Sequence, residues 1–261
     1  MRAGSILPLP SPESSNERDY NPPTMRLYAG TSGFSYDEWK GSFYPEDLPA
    51  KERLAYYATR LTTVEINNTF YRTPKASVVE GWRAQAKGDF RFVIKASQRL
   101  THQKRLKECG PDLAYALEVY RAMQERLGPV LFQLPPNFKK DLARLVAFLE
   151  IVPSDVRAAF EFRNDSWQDG EVYEALRAKG MMLCYTDTEK GDSPPVVATA
   201  ASGYLRLRRT HYEDTDLGDW ADRIAALRLE RAYVYFMHED DALGTVFARK
   251  LMDHWKERVG K

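Results

Sequence analysis

The sequence is short of several features that would fix a function at once. Its 261 residues include two cysteines, Cys109 and Cys184. With no secretory signal, that count points to reduced thiols in the cytoplasm rather than a disulfide framework. Histidine is also scarce, at His102, His211, His238 and His254, and neither HExxH nor CxxC occurs. A zinc centre built on several His or Cys ligands is therefore not expected. There is no charge excess, with 38 Lys and Arg against 37 Asp and Glu. That balance argues against a nucleic-acid packaging role but leaves a local basic patch open. No apolar run approaches the roughly 20 residues a membrane span needs. The segment GTSGFSYDEW, after the first strand-like run, lacks the GxGxxG spacing of a dinucleotide site.

A hydrophobic content of 43% is enough for a substantial core. Residues 1–24, MRAGSILPLPSPESSNERDYNPPT, are rich in Pro, Ser and Asn and lack periodicity, so they read as a disordered tail. Pro8 and Pro10 interrupt the stretch a signal peptide would need, and Met25 is a natural alternative start. Residues 25–261 form one unit. Strand-like runs stand at LYAGT (27–31), TTVEIN (62–67), RFVIKA (91–96), PVLFQL (129–134), AAFEFR (158–163), MMLCYT (181–186), GYLRLR (203–208) and AYVYFM (232–237). Helical patterns lie between most of them. The clearest spans 111–128, with Leu113, Ala116, Leu117, Tyr120 and Leu127 on one face and Gly128 as its stop. Residues 189–202, after the sixth run, offer no good helix. Eight strands with intervening helices in about 250 residues predict an α/β fold, a single (β/α)8 TIM-type barrel, with an open doubly wound sheet as the alternative.

A barrel strand turns one parity toward the helices and the other toward the interior. Val64 and Ile66 face out, so Glu65 and Asn67 face in. The same argument turns Lys95, Gln133, Glu161, Arg163, Arg206 and Arg208 inward. In the sixth strand, either Tyr185 with Asp187 or Cys184 with Thr186 faces in, and the eighth is equally open. So many charges from different strands, near the ends where βα loops converge, suggest a site at the C-terminal mouth. The bland reading is a self-satisfied ion-pair network.

Six segments then carry a family likeness: GTSGFSYDEWKGSFYP, TTVEINNTFYRTP, FVIKASQRLTH, LGPVLFQLPPNF, FEFRNDSW and YVYF. In this order they resemble the YecE-like family, domain of unknown function 72. The resemblance spans Leu27 to the last helix and implies a TIM-type barrel, but it supplies no reaction. The family pattern often ends strand seven in Arg-Leu-His-Gly and strand eight in an Asn pair. Here Arg206, Leu207, Arg208 and Arg209 stand at the first and Met237 and His238 at the second, which makes this mouth more basic.

The candidate catalytic residues are Glu65, Glu161, Lys95 and His102, with the two glutamates as acid–base groups. The candidate substrate-binding residues are Tyr36, Trp39, Asn67, Tyr71, Gln133, Arg163, Trp167, Asp187, Arg206 and Arg208, the aromatics with Phe34 forming a rim that could stack a sugar or base. The cofactor is left open. A magnesium or manganese site could use Glu65, Glu161 and Asp187 with His102 or His238, but the neighbouring cations make it the less favoured reading. The expected partner is an anionic small molecule, and the expected reaction is hydrolysis or isomerisation of a phosphorylated or anionic sugar-containing substrate. The alternative is a nucleic-acid-binding barrel, drawing on Arg206, Arg208, Arg209 and His211 and on the run KASQRLTHQKRLK (95–107). In the LPP turn (134–136), a cis X-Pro bond is one expectation.

Overall fold

The computed structural model describes residues 25–187, 189, 196–237 and 241–259. Residues 1–24 and His238 lie outside the described residues. The chain runs β1 (Arg26–Ser32), α1 (Arg53–Ala58), β2 (Thr63–Ile66), α2 (Ala76–Gln85), β3 (Arg91–Lys95), α3 (Gly110–Tyr120), β4 (Leu127–Leu134), α4 (Leu142–Ile151) and β5 (Ala158–Phe162). It continues through α5 (Gly170–Ala178), β6 (Met182–Asp187), β7 (Ser202–Leu207), α6 (Asp214–Ala226), β8 (Arg231–Phe236) and α7 (Leu243–Val259). The eight strands are parallel, and β8 pairs back onto β1 to close a (β/α)8 barrel. No helix among the described residues is long and apolar enough to cross a membrane.

The strand parity follows from burial on two faces. Val64, Ile66, Phe92, Ile94, Phe132, Phe160, Leu205 and Leu207 join the large core between sheet and helices. Tyr28, Val93, Leu131, Ala159, Tyr204 and Tyr233 belong to a second core that fills the barrel. Tyr28 and Tyr233 stack there at 5.0 Å. The open choice in β6 is resolved the same way. Cys184 joins the interior core and Tyr185 the outer one, so Asp187 has the outward parity. Cys109 and Cys184 are both buried free thiols.

The helix ends show local chemistry. Asp141 caps α4 by accepting from Arg144 N at 3.0 Å, and Asp169 caps α5 by accepting from Glu171 N. α6 begins before the LGDW pattern, because Glu213 and Asp216 form a reciprocal capping box. The periodicity over 111–128 misleads. α3 ends at Tyr120, a 3-10 segment follows, and Gln124 breaks it with φ 52°. Leu127 and Gly128 already belong to β4. Gly128 is needed not as a helix stop but for close strand approach, since a Cβ there would lie 3.0 Å from the Phe92 carbonyl oxygen. The β6–β7 connection carries no helix among its described residues. All peptide bonds among the described residues are trans, so the LPP turn has no cis proline.

Candidate functional site

At the C-terminal mouth, β2, β5 and β7 each end in an inward charge, and the three meet. Arg206 sits between the glutamates. Its Nη2 donates to Glu65 Oε1 at 2.9 Å and its Nη1 to Glu161 Oε2 at 2.6 Å. Glu65 also accepts from Ser32 Oγ at 2.9 Å, Tyr204 OH at 2.6 Å and Asn67 Nδ2 at 3.1 Å. Glu161 accepts from Gln133 Nε2 at 2.7 Å and Arg163 Nε at 3.1 Å. Glu65, Glu161 and Arg206 are at most 3% exposed. Burial of this kind costs several kcal/mol per ion and is tolerated only where partners saturate the charges.

These contacts set the protonation states. Burial pushes both carboxyls toward neutrality, but the Arg206 charge and the surrounding donors outweigh it. Glu65 is held below its ordinary value, and Glu161 is lowered to about 2. Arg206 is buried too, and the two glutamates hold its pKa well above normal. Tyr204, raised by burial and by Glu65, stays a phenol donor.

Above this triad opens a cavity of about 490 Å³. Lys95, Arg163, Arg206 and Arg208 line it together with His102 and Gln133. Tyr36, Asn67 and Tyr71 form another part of the wall. Among the described residues Lys95 forms no salt bridge or side-chain hydrogen bond, and its ammonium rests 4.4 Å from the Phe70 ring centroid. Among the described residues Arg208 meets no carboxylate, and its guanidinium reaches Met237 Sδ at 3.5 Å. Burial and Arg206 lower Lys95 to about 8, and the same two causes lower Arg208. His102 sits on a π-turn, Arg99–Gln103, directly after β3. Its Nδ1 lies 2.9 Å from Thr101 Oγ1, and its ring meets Phe70 edge-on. Burial, then Lys95 and Arg163, push the imidazole toward neutrality. Just beyond, Arg105, Leu106 and Glu108 all have left-handed φ, a conformation that costs non-glycine residues on the order of 1 kcal/mol each. Asn67 turns its amide nitrogen to Glu65 and leaves a buried Oδ1 without a donor.

Glu65 and Glu161 touch the cavity through Arg206 rather than in its wall, and three further expected residues stand apart from it. Trp39 is fully buried among Tyr36, Phe43 and Tyr44. Trp167 stacks on Phe162, and its Nε1 donates to the Phe138 carbonyl at 2.6 Å. Both are loop-packing residues, because an indole buried on all sides offers a ligand no face. Asp187 has the outward parity. It accepts from the Arg208 backbone N–H and from Tyr212 OH, and it pairs with Arg209 at 3.2 Å. It ties the loop after β7 to β6. Among the described residues no group of three or more His, Cys, Asp or Glu side chains is placed to hold a metal ion. Arg206 occupies the place between Glu65 and Glu161 where a cation would sit, and Asp187 points away from them. The basic run after β3 is also partly neutralised, since Arg99 and Lys104 share Asp112. Ser32, Phe70, Gln98, Met237 and Tyr204 belong to the site and were not among the expected residues. Inward parity marks Ser32 and Tyr204 in the sequence. Nothing in the sequence marks Gln98, which a loop delivers.

The family model described as "Protein of unknown function DUF72" matches residues 28–261. The UPF0759 protein YunF of Bacillus subtilis is 28% identical over 200 residues, which is 71% of this chain and 70% of YunF. The UPF0759 protein YecE of Escherichia coli K12 is 34% identical over 125 residues, about half of either chain. A DUF72 family crystal structure from Thermotoga maritima superposes with a TM-score of 0.77 at 27% identity, covering 90% of this chain and all of the other. A second, from Enterococcus faecalis, gives 0.75 at 18% identity over 88% and 95% of the two chains, a likeness of fold. The match along nearly all of the barrel settles the relationship: the chain belongs to the DUF72 family.

Proposed function

We propose that the mouth of this barrel binds a phosphorylated or otherwise anionic sugar-containing ligand and that the chain is an enzyme acting on it by proton transfer, in hydrolysis or isomerisation. The observation that carries the reading is the imbalance of charge. Among the described residues two carboxylates face four basic side chains, Arg206 engages both carboxylates, and Lys95 and Arg208 face the cavity without a carboxylate partner. Partly desolvated cations of this kind are stabilised by a ligand anion. The unpaired Asn67 Oδ1 adds an acceptor suited to a sugar hydroxyl.

The acid–base assignment shifts within the site. Glu65 and Glu161 are held ionised and saturated by donors, so neither is a proton donor near neutral pH. They orient Arg206. Lys95, lowered to about 8, suits proton transfer near physiological pH, and His102, pushed toward its neutral form, stands beside it as a proton acceptor. Titration calorimetry tests the binding. Ribose 5-phosphate and inorganic phosphate should bind while ribose does not, and Lys95→Met or Arg208→Met should each weaken binding by about tenfold or more. Equal binding of ribose and its phosphate, or unchanged affinity in the double variant, would refute the reading.

A second reading keeps nucleic acid as the ligand. A groove of about 440 Å³ adjoins the mouth, shares Tyr71 and Gln98 with it, and carries a second exposed tyrosine, Tyr115. That shape suits an extended single strand with a base on each ring. Binding of a short single-stranded oligonucleotide that falls steeply with salt would favour it.

A further inference from the structure

Lys95 is placed for more than anion binding. It ends β3 with the inward parity, so its amine stands in the cavity and not at the rim. Among the described residues, every charged group lining the cavity around it is either committed or of like sign. Glu65 from β2 and Glu161 from β5 are taken by Arg206, and Arg163, Arg206 and Arg208 add positive charge. His102 and the phenols of Tyr36, Tyr71 and Tyr204 are further titratable neighbours among the described residues. The Phe70 ring covers one side of the ammonium. Desolvation together with adjacent cations is the arrangement that turns a lysine into a nucleophile. The anion-binding residues stand in the same cavity and would hold a charged substituent beside it.

We propose that Lys95 is a covalent catalytic residue that forms an imine with the carbonyl group of an anionic aldehyde or ketone, such as an open-chain sugar phosphate. The neutral amine attacks the carbonyl carbon and a C–N bond forms. The carbonyl oxygen takes up the two amine protons and leaves as water, giving the C=N bond, with no oxidant or reductant involved. The substrate class rests on the anion reading above; the nucleophile itself does not. The inference names a reaction intermediate and limits the substrates to those with a free carbonyl.

Pyridoxal 5′-phosphate, a phosphorylated aldehyde, is a suitable probe. It would be added in equimolar amount near pH 7.5, the imine reduced with borohydride, and the adduct located by peptide mass spectrometry. An amine with a pKa near 8 is free in about one molecule in four at that pH, and an ordinary lysine in about one in a thousand. Lys95 should therefore label about tenfold or more in preference to any other lysine, with excess inorganic phosphate protecting it. Lys95→Arg keeps the charge and should lose that adduct alone. Should that variant fail to fold, the wild-type labelling rate serves instead, rising with pH to a plateau above about 8 where ordinary lysines continue to climb past 10. Even labelling of all lysines in a protein that binds phosphate by calorimetry overturns the imine and leaves the anion reading standing. Preferential labelling of Lys95 without phosphate binding or protection supports the imine and overturns the anion reading.

Discussion

Arg206 decides the character of the site, because one guanidinium neutralises two carboxylates that would otherwise repel each other in a buried layer. Removing it by Arg206→Met should leave Glu65 and Glu161 facing each other, with a loss of about 3–5 kcal/mol at neutral pH. The sign of the pH dependence should also invert. In the wild type both carboxyls are lowered, so their contribution is present above their unfolded values and fades as pH falls toward the folded value, about 2 for Glu161. In the variant at least one folded carboxyl is raised. Its contribution is then present at low pH and lost as pH rises through the raised value. Thermal melts at pH 5 and 7.5 should show Arg206→Met more stable at pH 5 and the wild type at least as stable at 7.5. A variant that melts lower at pH 5 than at 7.5 would refute this account of the triad.

Among the elements, β1 is held at close approach to its neighbour. Gly30 packs so closely on β2 that a Cβ would stand 1.9 Å from the Thr63 carbonyl oxygen and 3.0 Å from the Tyr57 hydroxyl. Neither is a flexible chain end, because Thr63 presents backbone and Tyr57 is locked by hydrogen bonds to Thr31 and Thr63. Gly30→Ala should therefore destabilise the protein by about 1–3 kcal/mol in denaturant titrations. It should also weaken phosphate binding, since it displaces β1 and β2, which carry Ser32 and Glu65 two residues further on. Unchanged stability would mean that the sheet relaxes there more freely than its packing suggests.

The whole molecule depends on closure. β8 pairs with β1 over six positions, and α7 covers that seam with Phe247, Ala248, Leu251 and Trp255 buried. Because the inward charges come from β2, β3, β5 and β7, the site exists only when the ring is complete. Deleting residues from Leu243 onward should abolish the cooperative melting transition in near-ultraviolet circular dichroism, and phosphate binding with it. A truncated chain that still melted cooperatively would show that the ring holds without its last helix.

Fold class, strand order and the inward parity of Glu65, Lys95, Glu161 and Arg206 could be read from the sequence, because these strands alternate an apolar helix-facing side with an interior side that turns polar toward the mouth. The Gly128 helix stop was misread, because a helical period can run on into a strand of similar polarity, and only packing against Phe92 explains that glycine. Aromatic residues near the mouth looked alike in the sequence. Burial separated Trp39 and Trp167, sealed in the loops, from Tyr71, which stands 74% exposed beside the cavity. Parity likewise left Asp187 open until Tyr185 was seen packed in the outer core. The sequence alone determined which charges enter the barrel, since local alternation decides direction. Only the tertiary structure decided which of them meet, because partnership depends on distances between strands far apart in the chain, and among the described residues those distances leave Lys95 and Arg208 without a carboxylate.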